Sequence, residues 1–376
     1  MKRFLVISPV LHKNNDGYYS GYTPYIKEMN IWLRHVDSVR VIAPLTSIPP
    51  DALETAYEHD RLEFVEVPYL EFTQPVKALV SFFKLPVVLF HILLGMMWAS
   101  HIHLRCPSNL GLLSSFVQMF FPFKNKTVKY ANNWDRRSSQ PFSYRLQQMI
   151  LRSKVFTRNA KVLVYGDWNE RSKNIIPFFT ASYSKNKCLE VNLRELRDDA
   201  VIRLVFVGTI TPNKRPLECI KAVLFLKNMG LNIELDLFGD GSQRAELELY
   251  IQRNNLQKEV RLRGRQSPDI VEEFYKKAHF LVFLSQSEGW PKVVAEAMWW
   301  GCLPITTDVS CVSQMLGINQ RGVIVEPKAR EVKNAIIQLL KHPYNYQQMC
   351  SQAISWSREY DLERFEKEIV KLLEVN

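Results

Sequence analysis

Short apolar runs alternate with longer amphipathic stretches along almost the whole chain, and this alternation restricts the fold more than any other property of the sequence. Phe4–Pro9, Val39–Ala43, Leu62–Val67, His101–Arg105, Thr127–Tyr130 and Lys161–Tyr165 read as buried strands. Between them lie helical patterns such as Pro24–His35, with Thr23 as N-cap and Pro24 at the first helical position. The rhythm stops near 167–200, where Pro177, ASYSKNK and RELRDD read as a linker. It resumes with strands at Arg203–Val207, Ile233–Phe238, Val260–Arg263, Phe280–Leu284, Leu303–Thr306 and Val323–Val325. Helices are predicted to begin near Pro216, Ser242, Pro268, Pro291, Val309 and Ala329. Strands separated by helices pair in parallel and are covered on both faces, so the expectation is α/β with two doubly wound, Rossmann-like domains. The predicted divisions are an N-terminal domain over 1–170, a linker over 171–200, a second domain over 201–345 and helices over 346–376.

With 376 residues, 47% apolar and 23% charged, the chain has material for two cores and is not globally disordered. Its six cysteines form no CxxC pair and no cluster with histidine, which predicts reduced thiols and no metal site. The opening MKRFLVISPV has a basic start and an apolar run. Pro9, His12 and Lys13 and the lack of a small-residue cleavage site favour a first strand over a secretory leader.

The net charge of +11 is concentrated. Residues 72–166 hold 13 Lys/Arg and a single acid, Asp135. The same stretch contains the most apolar segment, Leu79–Ala99, long enough to cross a bilayer but interrupted by Lys84, Pro86 and His91. A helix that is buried or lies on a membrane surface is the expectation. Lys77, Lys84, Lys124, Lys126, Lys129, Arg136, Arg137, Arg145, Arg152, Lys154 and Arg158 around it suit an anionic headgroup layer.

The second half carries glycine turns after three strands: Gly208 in VFVGTITPNKRP, Gly239 and Gly241 in LDLFGDGSQ, and Gly264 in LRGRQSP. Such turns let backbone approach a ligand beyond the carboxyl ends of strands, and Lys214 and Arg215 beside the first favour phosphate. The more specific segment is SQSEGWPKVVAEAMWWGCLPITT. Glu288 and Gly289 precede a helix opened by Pro291, and unpaired N–H groups at a helix start attract anions. Lys292 adds charge there, and Glu296 follows Glu288 by eight residues. Two carboxylates so placed suit hydrogen bonds to hydroxyls on either side of a diphosphate.

Residues 200–330 resemble the donor domain of the retaining GT-B glycosyltransferases of family 4, also called glycosyltransferase group 1, through this E-x7-E pattern and the order of the turns. The resemblance implies two Rossmann-like domains facing a central cleft, with the last helix crossing back to the first domain. It implies a retaining transferase that uses a nucleotide-sugar co-substrate, needs no cofactor and expects no metal. Glu296 would hold the ribose hydroxyls, and Glu288 with the backbone of Gly289, Trp290, Pro291, Lys292 and Val293 would meet sugar and distal phosphate. Lys214 would neutralise the diphosphate, making Glu288 and Lys214 the catalytic pair, and the Gly264–Arg265 turn would frame the base. Gly208, Thr209, Arg215 and Gly239 complete the donor set. A UDP-sugar is preferred over GDP-mannose on family frequency.

Two departures stand out. Thr209 occupies the position after Gly208 where the family often has arginine. KYANNWDRR lacks a histidine frequent in the family, offering Asn132, Asn133, Trp134 and Asp135 at an acceptor site with Gly17 and Gly21 of a glycine loop. The expected protein lies in the cytoplasm, peripheral at the inner face of the membrane through Lys77, Lys84, Arg136, Arg137, Arg145 and Arg152. Its expected acceptor is a lipid-linked glycan in the assembly of a bacterial surface polysaccharide or lipopolysaccharide. A catalytically inactive sugar-nucleotide- or glycan-binding relative is the alternative. Nucleic-acid binding is disfavoured because the aromatics of the basic stretch fall at helix-core spacing, and a dehydrogenase because no GxGxxG follows a strand.

Overall fold

The computed structural model describes residues 1–47, 54–170 and 172–374, which form two compact units. The first comprises residues up to Phe179 together with the chain from Phe365 onward; the second spans Thr180–Arg364.

The first unit contains β1 (Arg3–Ile7), β2 (His12–Asn15), β3 (Tyr18–Tyr22), α1 (Thr23–Leu33), β4 (Ser38–Ala43), β5 (Glu54–Ala56), β6 (Leu62–Glu66), α2 (Pro75–Trp98), β7 (His101–Cys106), α3 (Asn109–Val117), β8 (Asn125–Tyr130), α4 (Phe142–Arg152), β9 (Ala160–Tyr165) and β10 (Ile175–Phe178). Seven of these strands make a parallel sheet of order β10-β9-β8-β7-β1-β4-β6. Strand β10 extends this sheet from within the segment read as linker. Its Ile-Ile-Pro-Phe has too few residues to register as a period, and Pro177 is tolerated because it lies on an edge strand.

The anticipated glycine loop is instead a hairpin. β2 and β3 pair antiparallel and β5 adds a third strand. Asp16 and Gly17 both have positive φ, 51° and 89°, the backbone of a tight two-residue hairpin turn. The Asn14 Oδ1 accepts from the Gly17 N–H at 2.9 Å. Gly21 lies within β3, its Cα face closed by His12 and Ile26.

Helix α2 is continuous through Lys84, Pro86 and His91. By length and composition it qualifies to cross a bilayer, but Val88, Ile92, Gly95 and Met96 are buried against the sheet. A Cβ on Gly95 would fall 2.7 Å from Ile42 Cδ1, so glycine lets the helix lie directly on β1 and β4. The opposite face leaves Leu79, Phe82, Phe83, Phe90 and Met97 exposed. Next to it α3 is capped by Ser108, whose Oγ accepts from Gly111 N at 2.8 Å. Ser108→Ala is expected to lower the stability of this unit by about 1 kcal/mol, read from chemical denaturation.

The second unit contains β11 (Ile202–Val207), α5 (Pro216–Asn228), β12 (Ile233–Phe238), α6 (Arg244–Arg253), β13 (Val260–Gly264), α7 (Pro268–Lys277), β14 (Phe280–Phe283), α8 (Lys292–Trp299), β15 (Leu303–Thr306), α9 (Val312–Leu316), β16 (Val323–Ile324), α10 (Ala329–Lys341) and α11 (Pro343–Ser357). Its parallel sheet runs β13-β12-β11-β14-β15-β16. The strand order therefore reverses between β11 and β14, the place where open α/β sheets leave a crevice at the strand ends. The final helix, α12 (Leu362–Glu374), begins in the second unit and continues in the first, where Phe365 packs on Phe178 and Phe179.

The residues read as linker beyond Phe179 are held firmly by the second unit. Leu196 is in its core. Arg194 donates to the carbonyls of Lys276, Trp300 and Gly301, closing the C-terminal ends of α7 and α8.

Candidate functional site

The loops that leave β11 and β14 flank the reversal of strand order in the second unit, and their side chains meet there. Lys214, from the first loop, is hydrogen-bonded to Glu288 from the second. Both are mostly buried, and the Lys214 ammonium also lies 5.0 Å from the Phe283 ring centroid. Asn213 ties the loops further: its carbonyl accepts from Gln286 N at 2.9 Å. Arg215 is held in the left-handed region at φ 51°, so the helix that follows starts abruptly at Pro216. Lys214 is thereby turned toward Glu288 while Arg215 caps α5.

Gly208 and Gly239 end neighbouring strands, and their backbones touch. A Cβ on Gly239 would lie 1.9 Å from the Gly208 carbonyl oxygen; one on Gly241 would lie 2.4 Å from that of Ile210. Both glycines of LFGDG are therefore required by the approach of two loops. Gly239 N donates to Gly264 O at 2.8 Å, which carries the contact to a third strand end. Thr209 is exposed beside these turns, and so is Arg265.

Helix α8 opens at Lys292 behind Gly289 and Pro291. Ser310 Oγ donates to the Gly289 carbonyl at 2.6 Å, fixing the loop from below. One helical turn on, Glu296 accepts from Ser182 Oγ at 2.6 Å. Burial pushes the Glu296 carboxyl above its ordinary value, although the Ser182 bond and nearby Lys292 oppose that rise, and Glu272 adds to it. The Trp290 ring packs against Trp356 and Tyr360, so its apolar surface braces the loop against α11. Lys292 and Val293 are half-buried at the helix start.

Chemically, the cluster sets one ammonium, one helix N-terminus and two carboxylates around a glycine-lined crevice. Cationic and N–H groups suit phosphate oxygens. Carboxylates accept from hydroxyls. Ser182, the partner of Glu296, was missed in the sequence because it stands in a polar stretch with no pattern. Among the described residues no group of three or more His, Cys, Asp or Glu is placed to hold a metal ion.

In the first unit the strand order reverses between β1 and β7. There His12 is fully buried and its Nε2 is 2.9 Å from Tyr57 Oη, which donates in turn to Tyr25 Oη at 3.3 Å. Arg105 lies over the Tyr25 ring at 4.6 Å and 3.8 Å from Glu28. Burial pushes the His12 imidazole down to about 4, so it is neutral at neutral pH. No sequence motif marks this group, because its members come from β2, α1, β7 and the residue after β5.

The residues after β8 divide. Asn132, Asn133 and Asp135 build a turn from their own side chains, with Asn133 Oδ1 accepting from Asp135 N at 2.9 Å. Trp134, expected at an acceptor site, is wholly buried; its Nε1 donates to Glu170 at 2.9 Å. Its ring lies under Arg152 at 4.3 Å. Arg152 is likewise corrected: it is mostly buried, paired with Glu170 at 2.8 Å, and presents no charge to a membrane. A guanidinium stacked on indole and bonded to a carboxylate is a structural brace. Gly17 and Gly21 serve the hairpin already described. Of the other expected membrane cations, Lys77 pairs with Glu71, Arg136 with Glu170 and Arg137 with Asp135. Arg145 is exposed on α4 near Phe142 and Met149, and Lys84 is half-buried on α2.

Residues 194–356 match the family of glycosyl transferases group 1. A Campylobacter jejuni protein, GalNAc-alpha-(1->4)-GalNAc-alpha-(1->3)-diNAcBac-PP-undecaprenol alpha-1,4-N-acetyl-D-galactosaminyltransferase, is 25% identical over 173 residues, 45% of this chain and 47% of its own. The matched part spans less than half the length of each curated relative. Among solved structures, Anabaena Alr3699/HepE in complex with UDP and glucose superposes with a TM-score of 0.69 at 13% identity, covering 100% of both chains. WaaG, a glycosyltransferase involved in lipopolysaccharide biosynthesis, superposes with a TM-score of 0.65 at 14% identity, covering 99% of this chain and 100% of its own.

Proposed function

Residues 194–356 form a glycosyl transferases group 1 domain within a GT-B-type α/β chain, and from that premise we propose that the protein is a retaining glycosyltransferase that draws its sugar from a nucleotide-sugar. The observation that carries this reading is the meeting of Lys214 and Glu288 at the reversal of strand order, with Glu296 on the helix behind them. In this reading Glu296 accepts from the ribose hydroxyls, while Lys214 and the N–H groups at the start of α8 hold the diphosphate. Arg215 shares the loop of Lys214, and Arg265 follows β13. As the glycosidic bond breaks, negative charge grows on the distal phosphate, and Lys214 with the helix terminus offsets it. Glu288 orients both Lys214 and the sugar. The departing phosphate takes the acceptor proton on the same face, which keeps the anomeric configuration and asks for no side-chain base; no metal is required.

UDP-sugar is the preferred donor, and the structurally similar HepE was solved with UDP and glucose. The proposed acceptor is a lipid-linked glycan, a reading supported by the undecaprenol-linked substrate named for the Campylobacter relative and by the exposed apolar face of α2. The first unit then rests on the inner face of the cytoplasmic membrane, with the protein peripheral to it and assembling surface polysaccharide.

A thermal-shift and calorimetric screen of UDP, GDP, ADP and CMP with their sugars tests the donor. One nucleotide at about 100 times its Kd should stabilise the fold by roughly 2.7 kcal/mol, and its sugar should be released slowly to water. If none binds at millimolar concentration, the donor reading is wrong.

A further inference from the structure

A cation-lined cavity in the first unit lies at the opposite end of its sheet from the strand-end loops discussed above. It has a volume of about 540 Å3 and sits at the N-terminal ends of four adjacent strands, at His101 of β7, Asn125 of β8, Ala160 of β9 and Asn174 just before β10. Ligands of parallel sheets bind beyond the other end, so this cavity has no part in the donor chemistry. Its size is that of a small-molecule site.

Lys154, Arg158, Lys161 and Lys173 line it, and among the described residues no aspartate or glutamate does. None of the four is ion-paired with a described acid, unlike Arg136, Arg137 and Arg152 nearby. Lys126 is different: its ammonium is buried and donates to the carbonyl of Phe121 at 2.6 Å. His101 carries no charge to the site, because burial, with Lys2 and Lys161 alongside, pushes its imidazole down to about 3. With Lys126 the pocket has five cationic side chains and, among the described residues, no acid in its lining, which fits a phosphate group.

The rim is apolar. Phe120 and Phe123 are 79% and 80% exposed, Val155 is 83% exposed, and Phe156 is 50% exposed. Arg158 lies 5.5 Å from the Phe123 ring centroid, so cation and aromatic tip are neighbours. The loop from α4 to β9 is built to hold this arrangement. Thr157 is buried and its Oγ1 donates to Ile150 O at 2.6 Å, while Gln118 Nε2 donates to Phe156 O at 2.7 Å. With the backbone pinned inward at these points, Val155 and Phe156 project outward between Lys154 and Arg158. A soluble anion would leave those side chains in water. A bilayer takes them into its interfacial layer while its headgroups reach the cations.

We propose that this cavity binds the phosphate of an anionic phospholipid headgroup, with Phe120, Phe123, Val155 and Phe156 entering the membrane around it. The site deepens the membrane part of the function proposed above and replaces Arg136, Arg137 and Arg152 as the charges that hold the lipid. Lys124, next to the lining residue Asn125, donates to Ala99 O at the end of α2.

Flotation of the full chain with phosphatidylcholine vesicles, with and without phosphatidylglycerol, tests the site. The triple variant Arg158→Gln, Lys161→Gln, Lys173→Gln should lose on the order of 100-fold in affinity for the anionic vesicles, with its melting temperature and nucleotide binding unchanged. Phe123→Ser with Phe156→Ser should also weaken vesicle binding while leaving the lining cations in place. If the triple variant binds like wild type, the pocket assignment falls and the wider membrane reading survives. If wild type binds no vesicle, both fall, and nucleotide binding still decides the transferase reading separately. Equal binding to neutral vesicles overturns the assignment. So does inorganic phosphate that stabilises wild type and not the triple variant when vesicles bind neither. Tighter binding of single-stranded RNA than of anionic vesicles, lost in the triple variant, would make the cavity a nucleic-acid site instead.

Discussion

Glu296→Gln should leave the protein folded and cost it at least about 100-fold in affinity for UDP. A carboxylate accepting from two ribose hydroxyls makes charge-assisted bonds worth roughly 1.5–3 kcal/mol each, and an amide replaces one acceptor oxygen with a donor. Stability should move the other way. The Glu296 carboxyl is raised by burial, so the native state holds its proton to a higher pH than the unfolded chain does. Where the native state binds more protons, stability falls as pH rises. The loss begins near the ordinary glutamate value of 4.5 and is complete above the raised one. At about pH 7.5 the ionised group is therefore a cost that glutamine removes, and the variant without ligand should melt no lower than wild type. Calorimetry with UDP and melting curves across the acid range measure both halves. Retained UDP affinity would make Glu296 a structural acid; a lower melting point without ligand would mean the Ser182 bond outweighs burial.

Gly239→Ala should be the most damaging small substitution in the second unit. The new Cβ would sit 1.9 Å from Gly208 O, against backbone and not a side chain that can rotate away. Gly239 also has φ of 129°, where an L side chain is strained. The strand-end loops must separate, and a loss of about 3 kcal/mol or more follows. Near 6–12 °C in melting temperature is the corresponding shift for a unit of this size. Nucleotide binding should fail with it, because the same loops carry Lys214. Gly264→Ala is the control. Its φ is 68°, but the nearest atom to a Cβ is the mobile Arg244 guanidinium at 3.8 Å, so only the backbone cost of about 1 kcal/mol applies. Equal losses at the two positions would show that φ alone matters and that the contact between loops does not.

The strands of both sheets were legible because a strand buried on both faces must be continuously apolar, and Leu204–Phe206 or Val162–Val164 leave little choice. The donor segment was legible because a helix start with Glu288, Lys292 and Glu296 at fixed spacing is local in the chain. The small sheet of β2, β3 and β5 was not, since His-Lys-Asn-Asn has no apolar alternation and the third strand, β5, joins β3 from more than thirty residues along the chain. Ser182 was invisible for a similar reason: its role exists only because the chain brings it 114 positions away to Glu296.

Trp134 and Arg152 show the limit most plainly. Read in sequence, an indole and a guanidinium in a basic stretch are equally good for solvent, sugar or lipid. Only the arrival of Glu170 beside both makes them a buried brace, while Arg158 and Lys161, of the same charge in the same stretch, are left unpaired around a cavity. Periodicity and local spacing are carried by neighbours in the chain, so the sequence alone determined the alternating α/β architecture and the residues of the donor loops. Burial and charge pairing depend on neighbours in space, so only the tertiary structure decided which cations of residues 72–166 are spent inside the protein and which face outward.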